Sequence, residues 1–169
     1  MGRTGTTRRR ALVVTAAATA GSLAGCSDGG SGPDARARAE RAAQRRAEAD
    51  ATLRKRLAAA SGALRDQYDA TVTRHPQLAG RLTALRGSVS EHVTAFGGTG
   101  RTAPPPTVPD DPDGALRALA TAERHIADAH TAALVDAEPE LARLLASVAA
   151  AGAAHTYLLT APVPSGVVT

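Results

Sequence analysis

Apolar side chains recur at alternating spacings of four and three residues along four stretches of the chain, and this periodicity constrains the fold more than any other feature. Such spacing places one apolar stripe along a helix, and stripes of this kind pack against one another. The sequence therefore predicts an all-α fold, an antiparallel four-helix bundle over residues 51–161. The predicted seams are Leu53, Leu57, Ala60, Leu64, Gln67 and Thr71; Leu78, Leu82, Leu85, Val89, His92 and Phe96; Leu116, Leu119, Glu123, Ile126, His130, Ala133 and Ala137; and Leu141, Leu145, Val148, Gly152, His155 and Leu159.

Prolines mark the helix boundaries. The pair His75-Pro76 is expected to end the first helix, because a residue before proline is pushed out of the α region. The second helix is then expected over residues 76–96. Asp111-Pro112 and Glu138-Pro139 are expected to open the third and fourth helices, with proline in the first turn.

Two segments are expected to lie outside regular structure. Residues 97–110 form a long connection rich in proline and glycine. Connections of this length are functional or disordered, so we interpret this one as a disordered crossover, with binding of a partner as the alternative. Residues 162–169 are expected to form a disordered tail.

The N-terminal residues have the three parts of an export signal. Four arginines, at positions 3, 8, 9 and 10, precede a short apolar run over 11–21, and small residues precede Cys26. A membrane-spanning helix needs about 20 strongly apolar residues, and this run is shorter. Residues 1–25 are therefore predicted to be a cleaved signal peptide.

The stretch Leu23-Ala24-Gly25-Cys26 resembles the lipobox of bacterial lipoprotein signals. The resemblance implies that Cys26 becomes the lipidated first residue of a protein anchored on the outer face of the cell membrane. An ordinary secretory signal is the alternative. Thr7-Arg8-Arg9 also resembles a twin-arginine export motif, so the export route stays open. Because Cys26 is the only cysteine, no disulfide is expected.

The net positive charge of the chain comes from its N-terminal leader, residues 1–25. The chain has 20 basic and 16 acidic residues, and removal of the four arginines of residues 1–25 leaves 16 of each. A balanced charge does not favour nucleic acid as a partner. Aromatic side chains, on which single-stranded nucleic acid stacks, number only one Phe and two Tyr.

Residues 26–34 are expected to be a flexible Gly/Ser tether, and residues 35–50 a helical stalk continuous with the first bundle helix. The stalk is nearly all Ala, Arg, Glu and Gln, which form helices readily but leave only alanines to bury. Residues 35–65 hold nine basic and three acidic side chains. This excess would attract anionic lipid head groups. A solvated helix face is the alternative interpretation, and the one preferred from sequence.

Four ionisable side chains lie on predicted seams: His92, Glu123, His130 and His155. If both short turns lie at one end of the bundle, a rise of ~1.5 Å per residue places His92 and His155 ~26 Å and Glu123 ~22 Å from those turns, in one layer. The same count places His130 level with Gln67, ~12 Å from the turns. His75 and His125 are expected to face solvent.

The architecture, over roughly residues 51–160, resembles the ferritin-like helical bundles of secreted proteins of high-GC bacteria. In that superfamily, glutamates and Glu-x-x-His pairs on facing helices hold two metal ions. This chain has no Glu-x-x-His, so the resemblance implies no di-iron centre. A single zinc ion held by His92, Glu123 and His155 is one hypothesis. The other is a buried glutamate hydrogen-bonded between two histidines.

Two functions follow. The first is a lipid-anchored, non-enzymatic module that binds or scaffolds a partner at the cell envelope, with self-association possible for a bundle of this kind. The second is a divergent ferritin-like metal-binding or redox protein. The sequence names neither the ligand nor the partner.

Overall fold

A computed structural model of the chain describes residues 32–99 and 107–162. Within them it has four α-helices, one 3₁₀ turn and no strand, so the predicted all-α class is confirmed. The helices are α1 (Pro33–Arg74), α2 (Ala79–Ala95), α3 (Pro112–Ala133) and α4 (Pro139–Thr160), and the 3₁₀ turn is Pro76–Leu78. The leader, Cys26 and residues 163–169 lie outside the described residues.

The helix boundaries follow from proline and capping chemistry. α1 ends at Arg74 because His75, before Pro76, leaves the α region with φ −125° and ψ 73°. α2 begins at Ala79 rather than at the predicted Pro76, since the 3₁₀ turn comes first. α3 opens as predicted on Asp111, whose Oδ1 accepts a hydrogen bond from the Gly114 amide at 2.6 Å.

The helices pack as two sequential pairs, α1 with α2 and α3 with α4, and α1 also packs on α3. Their apolar stripes form two core clusters, one toward each end. The first cluster is Leu64, Tyr68, Leu82, Leu85, Val89, Leu116, Leu119, Ala120 and Leu159. The second is Leu57, Ala58, Phe96, Leu141, Leu145 and Val148, with Leu53, Ala133, Leu134, Ala137 and Leu144 packed against it.

The two turns lie at opposite ends of this array, so the expectation that they share an end is wrong. The α1–α2 turn lies beside the start of α3, because His75 Nε2 is 2.9 Å from the Pro109 carbonyl oxygen. The α3–α4 turn packs with Phe96, at the far end of α2. The described ends of the connection, residues 96–99 and 107–111, therefore lie at opposite ends of the array. The ~16 residues of the connection can reach ~50 Å, more than the ~33 Å of a 22-residue helix.

α1 is far longer than its packed part. It has 42 residues and is a single helix from Pro33, so it also includes the last residues assigned to the tether. Up to Ala49 its side chains are exposed, apart from partly covered Ala37 and Ala42. Leu53 is its first large apolar side chain in the core. Among the described helices, none is both long and apolar enough to cross a bilayer.

A buried Tyr–Glu–His cluster as the candidate functional site

Glu123 is the centre of a polar cluster inside the helical array. It lies on the buried stripe of α3, between Leu119 and Ala127, and is 2% exposed. Its Oε1 accepts a hydrogen bond from the Tyr68 hydroxyl at 2.7 Å. The same oxygen lies 2.9 Å from His155 Nδ1. A carboxylate oxygen only accepts, so the proton of this second bond is assigned to His155 Nδ1.

Tyr68 is fully buried on α1 and acts as a neutral donor. Burial raises the pKa of its phenol, and the neighbouring Glu123 carboxylate raises it further. The hydroxyl therefore keeps its proton at any ordinary pH and donates it to the carboxylate. This bond joins the first helical pair to the second.

His92 extends the cluster toward α2. Its ring is stacked on the ring of His155, with centroids 6.3 Å apart and an interplanar angle of 17°. Burial lowers the pKa of His92, and the nearby His155 lowers it further, against the opposing effect of Glu123 and Glu91. His92 is therefore neutral near pH 7.

Gly152 lets α4 approach α3 beside the carboxylate. A Cβ atom at Gly152 would lie 3.2 Å from the Ala127 Cβ and 3.4 Å from Glu123 Oε2. One turn further on, the Thr156 hydroxyl donates to the Gly152 carbonyl oxygen at 2.9 Å. On the α4 side of the cluster, the backbone at Gly152 packs so close to α3 that a larger side chain at this position would have little space.

The structure brings His92, Glu123 and His155 together, as the seams predicted, although the count from a shared end was wrong. They meet because His92 on α2 and His155 on α4 lie at similar levels of the array. Leu159 packs in one cluster with Leu85, which places His155 within about one turn of the level of His92. Side chains lean toward the N-terminus of their own helix, so the two rings lean toward each other on helices of opposite direction.

His130 lies deeper and apart from the cluster's hydrogen bonds. It is 1% exposed, and among the described residues neither of its ring nitrogens has a hydrogen-bond partner. Its ring packs against Phe96 with centroids 5.5 Å apart, so it lies at the far end of α2 and not level with Gln67. Burial, together with nearby His92, lowers its pKa to about 4.

Three other residues differ from expectation. Tyr68, which the predicted seam omits, is in the core, because the buried stripe of α1 runs through Leu57, Ser61, Leu64 and Tyr68 rather than through Gln67. Asp66, which the predicted seam also omits, is 3% exposed and accepts a hydrogen bond from Arg65 at 2.9 Å.

His75 was expected to face solvent but is 5% exposed, because the α3 entry covers it. His125 is exposed, as predicted. A signal for Tyr68 existed in the sequence, since a seam of spacings four, three and four starting at Leu57 reaches it.

The two hydrogen bonds of the cluster converge on one oxygen of Glu123. Glu123 Oε1 accepts two hydrogen bonds, and His155 Nδ1 is used by one of them. In the described part of the chain, no three His, Cys, Asp or Glu side chains are grouped to hold a metal ion. What the arrangement does as it stands is hold a carboxylate between two donors and connect four helices.

These features define an all-α protein whose core contains a hydrogen-bonded cluster from α1, α3 and α4, on which His92 of α2 is stacked. Comparison with known proteins finds no matching family model, no similar curated protein and no similar solved structure. The function is therefore argued from the chain itself.

Proposed function

We propose that the protein is a lipid-anchored, extracytoplasmic helical module that binds or scaffolds a partner at the cell envelope and has no enzymatic activity. The lipobox ending at Cys26 carries this proposal. The long exposed part of α1 supports it, since a helix whose side chains over residues 33–45 are almost all exposed is suited to connect an anchor to a body.

We propose further that the four helices form an antiparallel bundle with one crossover. The residue pairs in contact between α3 and α4 support an antiparallel pairing of these helices. Glu123 contacts His155, while Ala120, one turn earlier on α3, contacts Thr156, which is later on α4. Two such antiparallel pairs, joined by a connection that links opposite ends, give an up-down-down-up order.

The closed interior favours a structural role for the polar cluster. Glu123 and His155 are 2% and 7% exposed, and each is hydrogen-bonded to the other. Buried polar groups that are paired internally contribute to a unique packing arrangement. Binding is then a property of the outer surface of the helices rather than of this cluster.

The experiment for the anchor is Cys26→Ser, compared with the matched neighbour Ser27→Ala. With a labelled fatty acid supplied to the cells, wild type and Ser27→Ala should incorporate label and fractionate with membranes. Cys26→Ser should incorporate none, and it should be released or accumulate as an uncleaved precursor. Labelling and fractionation of Cys26→Ser like wild type would contradict the proposal.

A second candidate is a divergent ferritin-like metal-binding or redox protein. Two observations favour it: the single long crossover, which ferritin-like bundles share, and a layer to which each of the four helices contributes a polar side chain. That layer consists of Tyr68, His92, Glu123 and His155. Zinc accepts two histidines and a carboxylate, so the residue types suit it, although the three side chains are not grouped around one metal position in the described part of the chain. Metal content of the purified protein, compared with the His92→Leu, Glu123→Ala, His155→Leu variant, separates the two candidates.

A further inference from the structure

The exposed half of α1 carries a row of arginines on one side. Arg38, Arg41, Arg45 and Arg56 are spaced by three, four and eleven residues, and all four are exposed. At 100° per residue they lie within a sector of about 60°. The row extends ~27 Å along the helix.

Arg38, Arg41 and Arg45 face away from the body of the protein, whereas Arg56, at the end of the row, lines a cavity beside Asp136 and Glu138 of the α3–α4 turn. The buried stripe of α1 contains Leu57, Leu64 and Tyr68, and its centre lies about 120° round the helix from the arginines. The arginines therefore do not compete with the packing of α1 on α2 and α3. They remain available to a surface that approaches from outside.

The four arginines have no carboxylate partner among the described residues. Elsewhere on α1 such partners are present: Arg54 Nε is 2.8 Å from Asp50 Oδ2, and Asp69 holds Arg86 at the same distance. Glu48 and Asp34 lie near the row, but Glu48 accepts from the Gln44 amide at 3.2 Å. Arg38, Arg41 and Arg45 thus form a line of unpaired positive charge on the part of α1 that precedes its packed part, which begins at Leu53.

We propose that this row lies on the anionic lipid head groups of a bilayer, with the first half of α1 parallel to the membrane surface rather than standing out from it. Charge complementarity selects this occupant, since head-group phosphates attract basic segments beside a membrane. The apolar side chains beside the row are alanines, such as Ala42 and Ala49, which give no apolar face to insert. Binding is therefore electrostatic, superficial and salt-sensitive.

The proposal rests on the membrane location given under Proposed function. The arginine row should nevertheless bind lipid head groups without the covalent lipid at Cys26. It can be tested on the chain from residue 26 onward with Cys26→Ser, which contains every described helix. A failure of lipid labelling in cells and a failure of vesicle binding by this chain are then separate results.

The test compares two variants of equal charge. The row variant is Arg38→Gln, Arg41→Gln, Arg45→Gln. The control removes three exposed arginines off the row, Arg36→Gln, Arg46→Gln, Arg124→Gln. Glutamine preserves helix propensity, and circular dichroism checks that helicity is unchanged. Cosedimentation is measured with vesicles of phosphatidylglycerol and phosphatidylcholine, and with vesicles of phosphatidylcholine alone.

Wild type should bind the anionic vesicles and not the neutral ones, and 0.5 M salt should release it. Each arginine on the surface is worth roughly fivefold in partitioning. The row variant should therefore lose about a hundredfold and the control less than tenfold. Equal losses in both variants, or equal binding to both kinds of vesicle, would overturn the proposal. So would binding of soluble polyphosphate without binding of anionic vesicles.

Discussion

Tyr68 and Glu123 are 55 residues apart in the chain, and a 2.7 Å hydrogen bond joins the hydroxyl of the first to Oε1 of the second. The bond connects α1 to α3, which belong to different helical pairs. Both side chains are almost fully buried, at 0% and 2% exposure, so water cannot replace either partner.

Tyr68→Phe should destabilise the fold by about 1–2 kcal/mol, because Glu123 loses one of its two donors and is left underpaired away from water. Urea unfolding at pH 7 measures this change. Tyr157→Phe is the matched control, since Tyr157 is 71% exposed and should give no measurable change. Equal midpoints for all three proteins would show that the bond contributes nothing.

Glu123→Ala should lower the free energy of unfolding by more, roughly 2–4 kcal/mol. It leaves two buried donors, the Tyr68 hydroxyl and His155 Nδ1, without an acceptor. Adding Tyr68→Phe and His155→Leu to it should recover part of the loss, since apolar replacement of a whole buried polar cluster is tolerated better than removal of one member. A double-mutant cycle measures this coupling. Strictly additive losses would mean that the three side chains do not act as a unit.

Zinc distinguishes the two candidate functions. If His92, Glu123 and His155 hold the ion, melting curves of the wild type should shift upward on adding zinc and downward with chelator, by an amount that follows mass action. Zinc at a hundred times its dissociation constant corresponds to about 2.7 kcal/mol. The His92→Leu, Glu123→Ala, His155→Leu variant should not respond. A wild type that is equally indifferent to zinc would eliminate the metal-binding candidate.

The stability of the fold should fall as the pH falls from 6.5 toward 4. His130 titrates near 6.5 when unfolded and at about 4 when folded, so the unfolded chain binds more protons in this window. Above pH 6.5 this difference in pKa contributes fully to the free energy of unfolding. As the pH falls to 4, the free energy of unfolding decreases by about 3 kcal/mol. The pKa of His92 is lowered too, which steepens the same slope.

His130→Leu tests this assignment. Urea unfolding between pH 4.5 and 7.5 should show a smaller slope for the variant. At pH 7 the variant should be as stable as wild type or more so, because an unpaired buried imidazole is removed. Exposed His125→Gln is the control and should keep the wild-type slope. An unchanged slope in His130→Leu would refute the assignment.

Gly152→Ala should destabilise the fold by about 1–2 kcal/mol, although alanine favours helix formation. Its Cβ would lie 3.2 Å from the Ala127 Cβ, so α3 and α4 would have to move apart slightly, while Glu123 Oε2, at 3.4 Å, is at the limit of ordinary contact. Gly87→Ala, on α2, meets nothing within 4 Å and should instead stabilise by up to about 1 kcal/mol. Thermal unfolding of the two variants measures this difference. The same sign for both would show that α3 and α4 can move apart without cost.

Parts of the fold and of the cluster could be predicted from local chemistry. His75-Pro76 and Asp111-Pro112 specify helix ends through backbone sterics and capping, which act over one turn. His92 and His155 were recognised because a polar residue interrupts an apolar seam. Tyr68 was missed because Gln67 fits a seam of the same spacing one residue away, and only packing decides between them.

The arrangement of the turns could not be predicted in this way. A connection long enough to run back along a helix is also long enough to stay at one end, so the length of residues 97–110 leaves both orders open. The contact between Phe96 and His130 decides the order, and it joins residues that no local pattern relates.

In the arrangement proposed above, the chain consists of two helical hairpins joined by the crossover. Each hairpin is contiguous in sequence, Pro33–Ala95 and Pro112–Thr160 by the limits of its helices, and the contacts between them include the Tyr68–Glu123 bond and the packing of Phe96 on His130. The connection then acts as a tether that sets the effective concentration at which the hairpins meet. Its length changes that concentration only slowly, so this segment is free to vary in sequence and size while the interface stays the same.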